Sequence, residues 1–163
     1  MASVMHIQAL FEMMDHADTN ALDLQNDTKV KSILLNSTYT ADPDTTLVDA
    51  GGASDYLDAE IVATGYTGAY GGAGRLAYAS RAWAVDTANN RVEFDAADLD
   101  FSNLGNGSND TIVALGIIKE DHLGVLGNDT ESRTIALIDI ADTTTNGGGF
   151  QVQWDAQGII QFA

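Results

Sequence analysis

The first twenty positions carry apolar residues at a spacing near 3.6. Val4, Ile7, Leu10, Phe11 and Met14 fall on one face of a helix drawn through them. Ser3 stands where an N-cap is wanted, and Asp15, Asp18 and Asn20 interrupt the pattern. An α-helix over residues 3–17 is predicted. Its apolar stripe has to pack on its own domain or on another subunit.

From residue 28 onward the period changes to two. Residues 28–35 (TKVKSILL) and 60–66 (EIVATGY) read as strands. Residues 75–85 and 91–95 read as a hairpin across 86–90 (DTANN), with Val92 and Phe94 facing one way and Arg91, Glu93 and Asp95 the other. Residues 111–118 (TIVALGII) and 134–140 (TIALIDI) are apolar without alternation, as central strands covered on both faces are. At the end, Phe150, Val152 and Trp154 alternate with Gln151 and Gln153, and residues 155–158 (DAQG) form a turn that returns the chain through 159–162. Seven or eight strands follow, so the fold class is mainly β: an antiparallel β-sandwich or barrel-like domain with one N-terminal α-helix.

The length of 163 residues suits one domain with a real core, residues 1–163, divided into a helical segment 1–20 and a β-domain 24–163. Charge changes the picture most. Seven Lys and Arg face 24 Asp and Glu, a net charge of −17. Nucleic acid and anionic membranes are therefore poor partners, because both are bound through cations. The acids are mostly Asp, which closes turns, and 16 Gly add to a turn-rich composition. There is no Cys, hence no disulfide and no thiolate chemistry. The N-terminus lacks the basic region of a signal peptide, and no apolar run approaches the ~20 residues of a membrane span.

Candidate chemistry is sparse. His6, His16 and His122 are spaced unlike zinc ligands, and no Cys accompanies them. Residues 95–100 (DAADLD) miss the EF-hand pattern, since Asp100 stands where Gly belongs. The glycine-rich stretch 65–74 (GYTGAYGGAG) is followed by Arg75 and Leu76 rather than the Lys and Ser or Thr of a phosphate loop. Tyr66 and Tyr70 on that glycine scaffold instead match the composition of contact loops. No Ser occupies a G-x-S-x-G elbow. No catalytic, cofactor-binding or metal-binding residue is assigned, and no enzyme activity is expected.

The order of several short pieces is familiar. Residues 28–35 lead to Ser37-Thr38-Tyr39-Thr40 and Asp42-Pro43-Asp44. Then come Thr64-Gly65-Tyr66, Ala88-Asn89-Asn90-Arg91-Val92 and Phe94-Asp95-Ala96-Ala97-Asp98. The chain closes on Asn146-Gly147-Gly148, Phe150, Gln153-Trp154-Asp155 and Gly158-Ile159. This series resembles a family of small virion structural proteins of tailed bacteriophages, over nearly the whole chain after about residue 24. The stretch 123–131 and the helical N-terminus depart from it. The resemblance implies a non-enzymatic, β-rich virion component, with a head decoration (cement) protein favoured. Its partners would be the major capsid protein and copies of itself, as a trimer or other small oligomer. The contact residues would be Val4, Ile7, Leu10, Phe11, Met14, Tyr66 and Tyr70, and the location the capsid surface after synthesis in the host cytoplasm. A tail component (tube, terminator or fibre-associated subunit) is the alternative within that class. A carbohydrate-binding β-sandwich module is the alternative outside it.

Overall fold

The computed structural model describes residues 4–5, 22–51, 55–122 and 127–162. Nine strands lie among them: β1 Val4–Met5, β2 Val30–Leu35, β3 Ala82–Asp86, β4 Arg91–Asp95, β5 Leu99–Phe101, β6 Thr111–Lys119, β7 Arg133–Thr144, β8 Phe150–Val152 and β9 Ile160–Phe162. The two long apolar runs of the sequence become β6 and β7, and they occupy the middle of a four-stranded sheet in the order β1-β7-β6-β2. Every pairing in it is antiparallel, with Leu115 opposite Ile138 and Leu34 opposite Leu115. Two smaller antiparallel sheets, β3-β4-β9 and β5-β8, complete the fold. The chain is thus mainly β and antiparallel, and its ladders split into three sheets.

The main sheet is buried on both faces, which is why β6 has no alternation. On one side Val30, Leu34, Leu115, Ile117 and Ile135 meet Phe94, Leu99, Phe101 and Val152 from the two small sheets. On the other, Ile33, Leu35, Val113, Ile118 and Leu137 are covered by Tyr39, Val48 and Tyr56 from the segment between β2 and residue 60. Tyr39 and Tyr56 pack edge to face at 4.8 Å, and the Tyr56 hydroxyl donates to the Ala136 carbonyl at 3.2 Å. Gly116 makes this possible. A Cβ there would collide with the Tyr56 ring and with Ile33.

Three expectations are corrected. The N-terminal helix fails at its start, because Val4 and Met5 pair as a strand with Leu137 and Ala136 of β7. A sheet edge offers unpaired N–H and C=O groups, whereas an isolated helix of this length is marginal in water. The rest of that segment, with Ile7, Leu10, Phe11 and Met14, lies outside the described residues, and these contain no α-helix.

Residues 60–66 alternate as expected, with Ile61 and Ala63 buried and Val62 76% exposed. They have only an isolated bridge, Leu35 to Glu60, and the chain turns where Tyr66 N–H donates to Ala63 O at 3.1 Å, so no strand forms.

The terminal hairpin is the third correction. The turn forms, with Gly158 N–H donating to Asp155 O at 2.9 Å, but β8 pairs with β5 and β9 with β4. Trp154 marks the crossing, its backbone N–H on Asp98 at 3.1 Å and its indole N–H on the Ala97 carbonyl at 3.2 Å. Val152 is buried in the core, and Phe150 and Trp154 are partly buried against that core.

Candidate functional site

The densest polar chemistry lies under the glycine-rich loop. Arg75 closes that loop, and its side chain is fully buried. Its guanidinium forks onto Glu60, Nε to Oε1 at 2.9 Å and Nη2 to Oε2 at 2.7 Å. It also grips Asp129 at 2.6 and 3.1 Å and reaches Glu120 at 3.5 Å. Glu120 is held in addition by Lys31 of β2 at 2.6 Å. Asp129 comes from a 3-10 turn, Asp129–Glu131, capped by Asn128. Glu60 comes from the bridge to Leu35, and Glu120 directly follows β6. Three carboxylates from three separate parts of the chain converge on one cation.

The loop is shaped to this cluster. The Tyr66 hydroxyl donates to Glu60 at 2.7 Å and accepts from Leu34 N–H at 3.3 Å. Ala69 N–H donates to Glu60 at 2.8 Å and Gly71 N–H to Glu120 at 3.2 Å. A Cβ on Gly68 would stand 2.7 Å from the Glu60 carboxyl carbon, and one on Gly74 would stand 2.7 Å from the Tyr66 ring. These glycines therefore serve close approach to buried side chains. They do not cradle a phosphate, because the nearby loop N–H groups already bond the protein's own carboxylates.

Burial alone would favour a neutral Arg75, but the hydrogen bonds and charges of Glu60 and Asp129 outweigh it and hold the guanidinium more firmly protonated than usual. Burial, with Glu60 alongside, pushes the Tyr66 hydroxyl well above its ordinary range. Every member of the cluster has an intramolecular partner, and the fork geometry leaves the guanidinium no room for a ligand. Among the described residues, no group of three or more His, Cys, Asp or Glu is arranged to hold a metal ion.

Tyr66, expected as a contact residue, is buried in this network and is not part of an exposed surface. Tyr70 is half-buried, with the Lys29 ammonium 6.0 Å from its ring centre. Val4 is placed by its backbone in β1; Ile7, Leu10, Phe11 and Met14, like His6 and His16, lie outside the described residues. His122 is buried. The described members of the expected contact set are split between the β1 edge (Val4) and the glycine-rich loop (Tyr66 and Tyr70). Sequence reasoning missed Arg75, although an arginine inside an otherwise apolar and glycine-rich stretch was a signal for a buried cation.

All seven basic residues bond acceptors of their own chain. Lys29, Lys31, Arg75, Arg91 and Lys119 pair with carboxylates, while Arg81 and Arg133 donate to the backbone carbonyls of Asp27 and Thr46. The surface is consequently acidic with its cations committed.

A second feature is apolar. Trp83, Val85, Val92, Phe94, Ile160 and Phe162 share one face of the β3-β4-β9 sheet. Its inner half is covered, with Phe94 wholly buried. Its outer half is bare, with Val85 72% and Val92 39% exposed. These two and Phe162 line a shallow cleft of about 250 Å³ with Arg91, Asp86 and Asn90. That is below the usual range of small-molecule sites. No described helix is long and apolar enough to cross a membrane. Comparison with known proteins finds no matching family model, curated protein or solved structure.

Proposed function

We propose that the protein is a non-enzymatic structural component of a tailed-bacteriophage virion, a head decoration subunit that binds and stabilises the capsid lattice together with copies of itself. The observation that carries this reading is the ordered series of segments from residue 28 to residue 159. The structure gives those segments a common physical role. Tyr39 and Phe94 are core residues, while Asn90, Gly65, Gly147 and Gly158 are turn residues at positive φ. A resemblance spread over core and turn positions concerns the fold, as a structural family would show. The fully paired Arg75 cluster supports a scaffold over a reaction centre. The charge of −17 suits a subunit that must stay soluble until its lattice exists.

The test is mass spectrometry of purified heads and tails, followed by co-sedimentation of the protein with undecorated heads. Heads should contain it in many copies, and heads lacking it should break more readily on heating. Substituting Ile7, Leu10, Phe11 and Met14 by Ser, and separately Tyr70 by Ala, should lower occupancy. Presence in tails alone would replace decoration by the tail reading. Absence from both particles would overturn the virion reading altogether.

A further inference from the structure

The outer edge of β3 has the form of a self-complementary interface. β3 is an edge strand of the β3-β4-β9 sheet, and no described strand pairs with its outer side. Its sequence, AWAVD, has no Lys, no Pro and no bulge against β4, and its one charge, Asp86, stands at the strand end and is paired with Arg91. The other long edges differ. The outer side of β2 is covered where Ser32 N–H meets Leu76 O, and the outer side of β7 is met by β1 and then carries Asp139 and Asp142.

Backbone direction is favourable as well. Phe94 turns its carbonyl toward β9, where it accepts from Ile159 N–H at 2.7 Å. In an antiparallel ladder alternate residues face alternate neighbours, so Trp83, opposite Phe94, and Val85 direct their own N–H and C=O outward.

We propose that two copies of this chain associate about a two-fold axis through β3, antiparallel, with Ala84 opposite Ala84 and Trp83 opposite Val85 of the second copy. Trp83 and that Val85 exchange both backbone hydrogen bonds, and the axis repeats the pair. The register uses only the outward-facing residues and joins two three-stranded sheets into one. It also sets each exposed Val85 against the other copy's indole, as a cross-strand aromatic and β-branched pair.

Charge selects a second copy as the occupant. The hairpin 81–95 carries Arg81 and Arg91 against Asp86, Glu93 and Asp95, one net negative charge out of seventeen. Arg91 is moreover bonded to Asp86 and Glu93. Two strongly acidic molecules meet here across nearly neutral hairpins. The contact is small, so the dimer is weak and concentration-dependent, and salt strengthens it by screening the remaining charge.

The inference names the surface of the self-association in the function proposed above. It is tested in solution without heads, so its failure is separate from failure of head binding. Sedimentation velocity over a range of concentrations should show monomer passing to dimer, with more dimer at higher salt. Ala84 is exposed, so changes there leave the monomer fold intact, which circular dichroism verifies.

Ala84→Lys and Ala84→Glu should each be monomeric, since each sets like charges together on the axis, and their mixture should recover the dimer. Ala84→Cys is the second measurement. A two-fold, non-hydrogen-bonded pair sets Cα atoms about 4.5 Å apart, within disulfide reach, and the chain has no other thiol. Under molecular oxygen as oxidant, it should cross-link at least tenfold faster than an exposed control, Thr40→Cys. A monomer at every concentration, a trimer, or equal cross-linking of the two cysteine variants would overturn the proposal.

Discussion

Arg75 offers the sharpest test of the site's construction. Replacing it by Met keeps most of the side-chain volume and removes the charge. Glu60 and Asp129, each about 4% exposed at the side chain, then lose the group that holds both. Glu120 keeps Lys31 at 2.6 Å, so the damage centres on two carboxylates rather than three. Breaking a buried pair by removing one partner costs about 3–5 kcal/mol, because a buried charge is left uncompensated. For a domain of this size that corresponds to a fall in Tm of about 6–20 °C, at ~2–4 °C per kcal/mol. Arg75→Lys should cost less than Met, because the charge survives while the double fork onto Glu60 and Asp129 does not. The assay is urea unfolding followed by tryptophan fluorescence, with the midpoint and slope fitted together so that a change in stability is separated from a change in cooperativity. Loss of less than 1 kcal/mol in Arg75→Met, or a larger loss in the Lys variant than in the Met variant, would refute the account of the cluster as a guanidinium-centred clamp.

Gly116→Ala should destabilise by about 1–3 kcal/mol or more, measured as a shift in the urea midpoint, because its Cβ enters the space of the Tyr56 ring and Ile33. Tyr56, Tyr66 and Tyr78 are all pushed upward by burial, so the folded state favours their neutral form. That stability is complete below the ordinary tyrosine pKa of about 10 and is lost as pH rises above it. A near-UV absorbance titration should therefore show these three ionising only together with unfolding. Asp86 is held below the usual carboxylate range by its hydrogen bonds to Asn89, Ala88 and Arg91. Its contribution is present above the unfolded value and lost as pH falls through the lower folded one, so Asp86→Asn should flatten the acid limb of a stability profile measured between about pH 2 and 5.

Some of this protein was legible along the chain because period and length act locally. The apolar runs at 111–118 and 134–140 read as central strands, and β6 and β7 occupy that place. The hairpin signal at 86–90 was equally local, and β3 and β4 pair across it, although residues 75–81 of the expected first arm form no strand. Composition alone decided that cations would be scarce. It could not show that every one of them would be bound to its own chain.

What the tertiary structure decided was partnership. Phe150 to Phe162 carry a well-formed turn between two segments, yet β8 pairs with β5 and β9 with β4, so the two arms join different sheets. Val4 fits a helical stripe with Ile7, Leu10, Phe11 and Met14, yet it pairs together with Met5 as a strand on the open side of β7. The glycines from 65 to 74 look the same in sequence whether they face a phosphate, a solvent-exposed contact or a buried carboxylate. Only the convergence of Glu60, Glu120 and Asp129 on Arg75, from positions up to 54 residues away, shows which it is. Local pattern sets which faces must be buried, and the choice of what buries them depends on competition between distant segments that no short window contains.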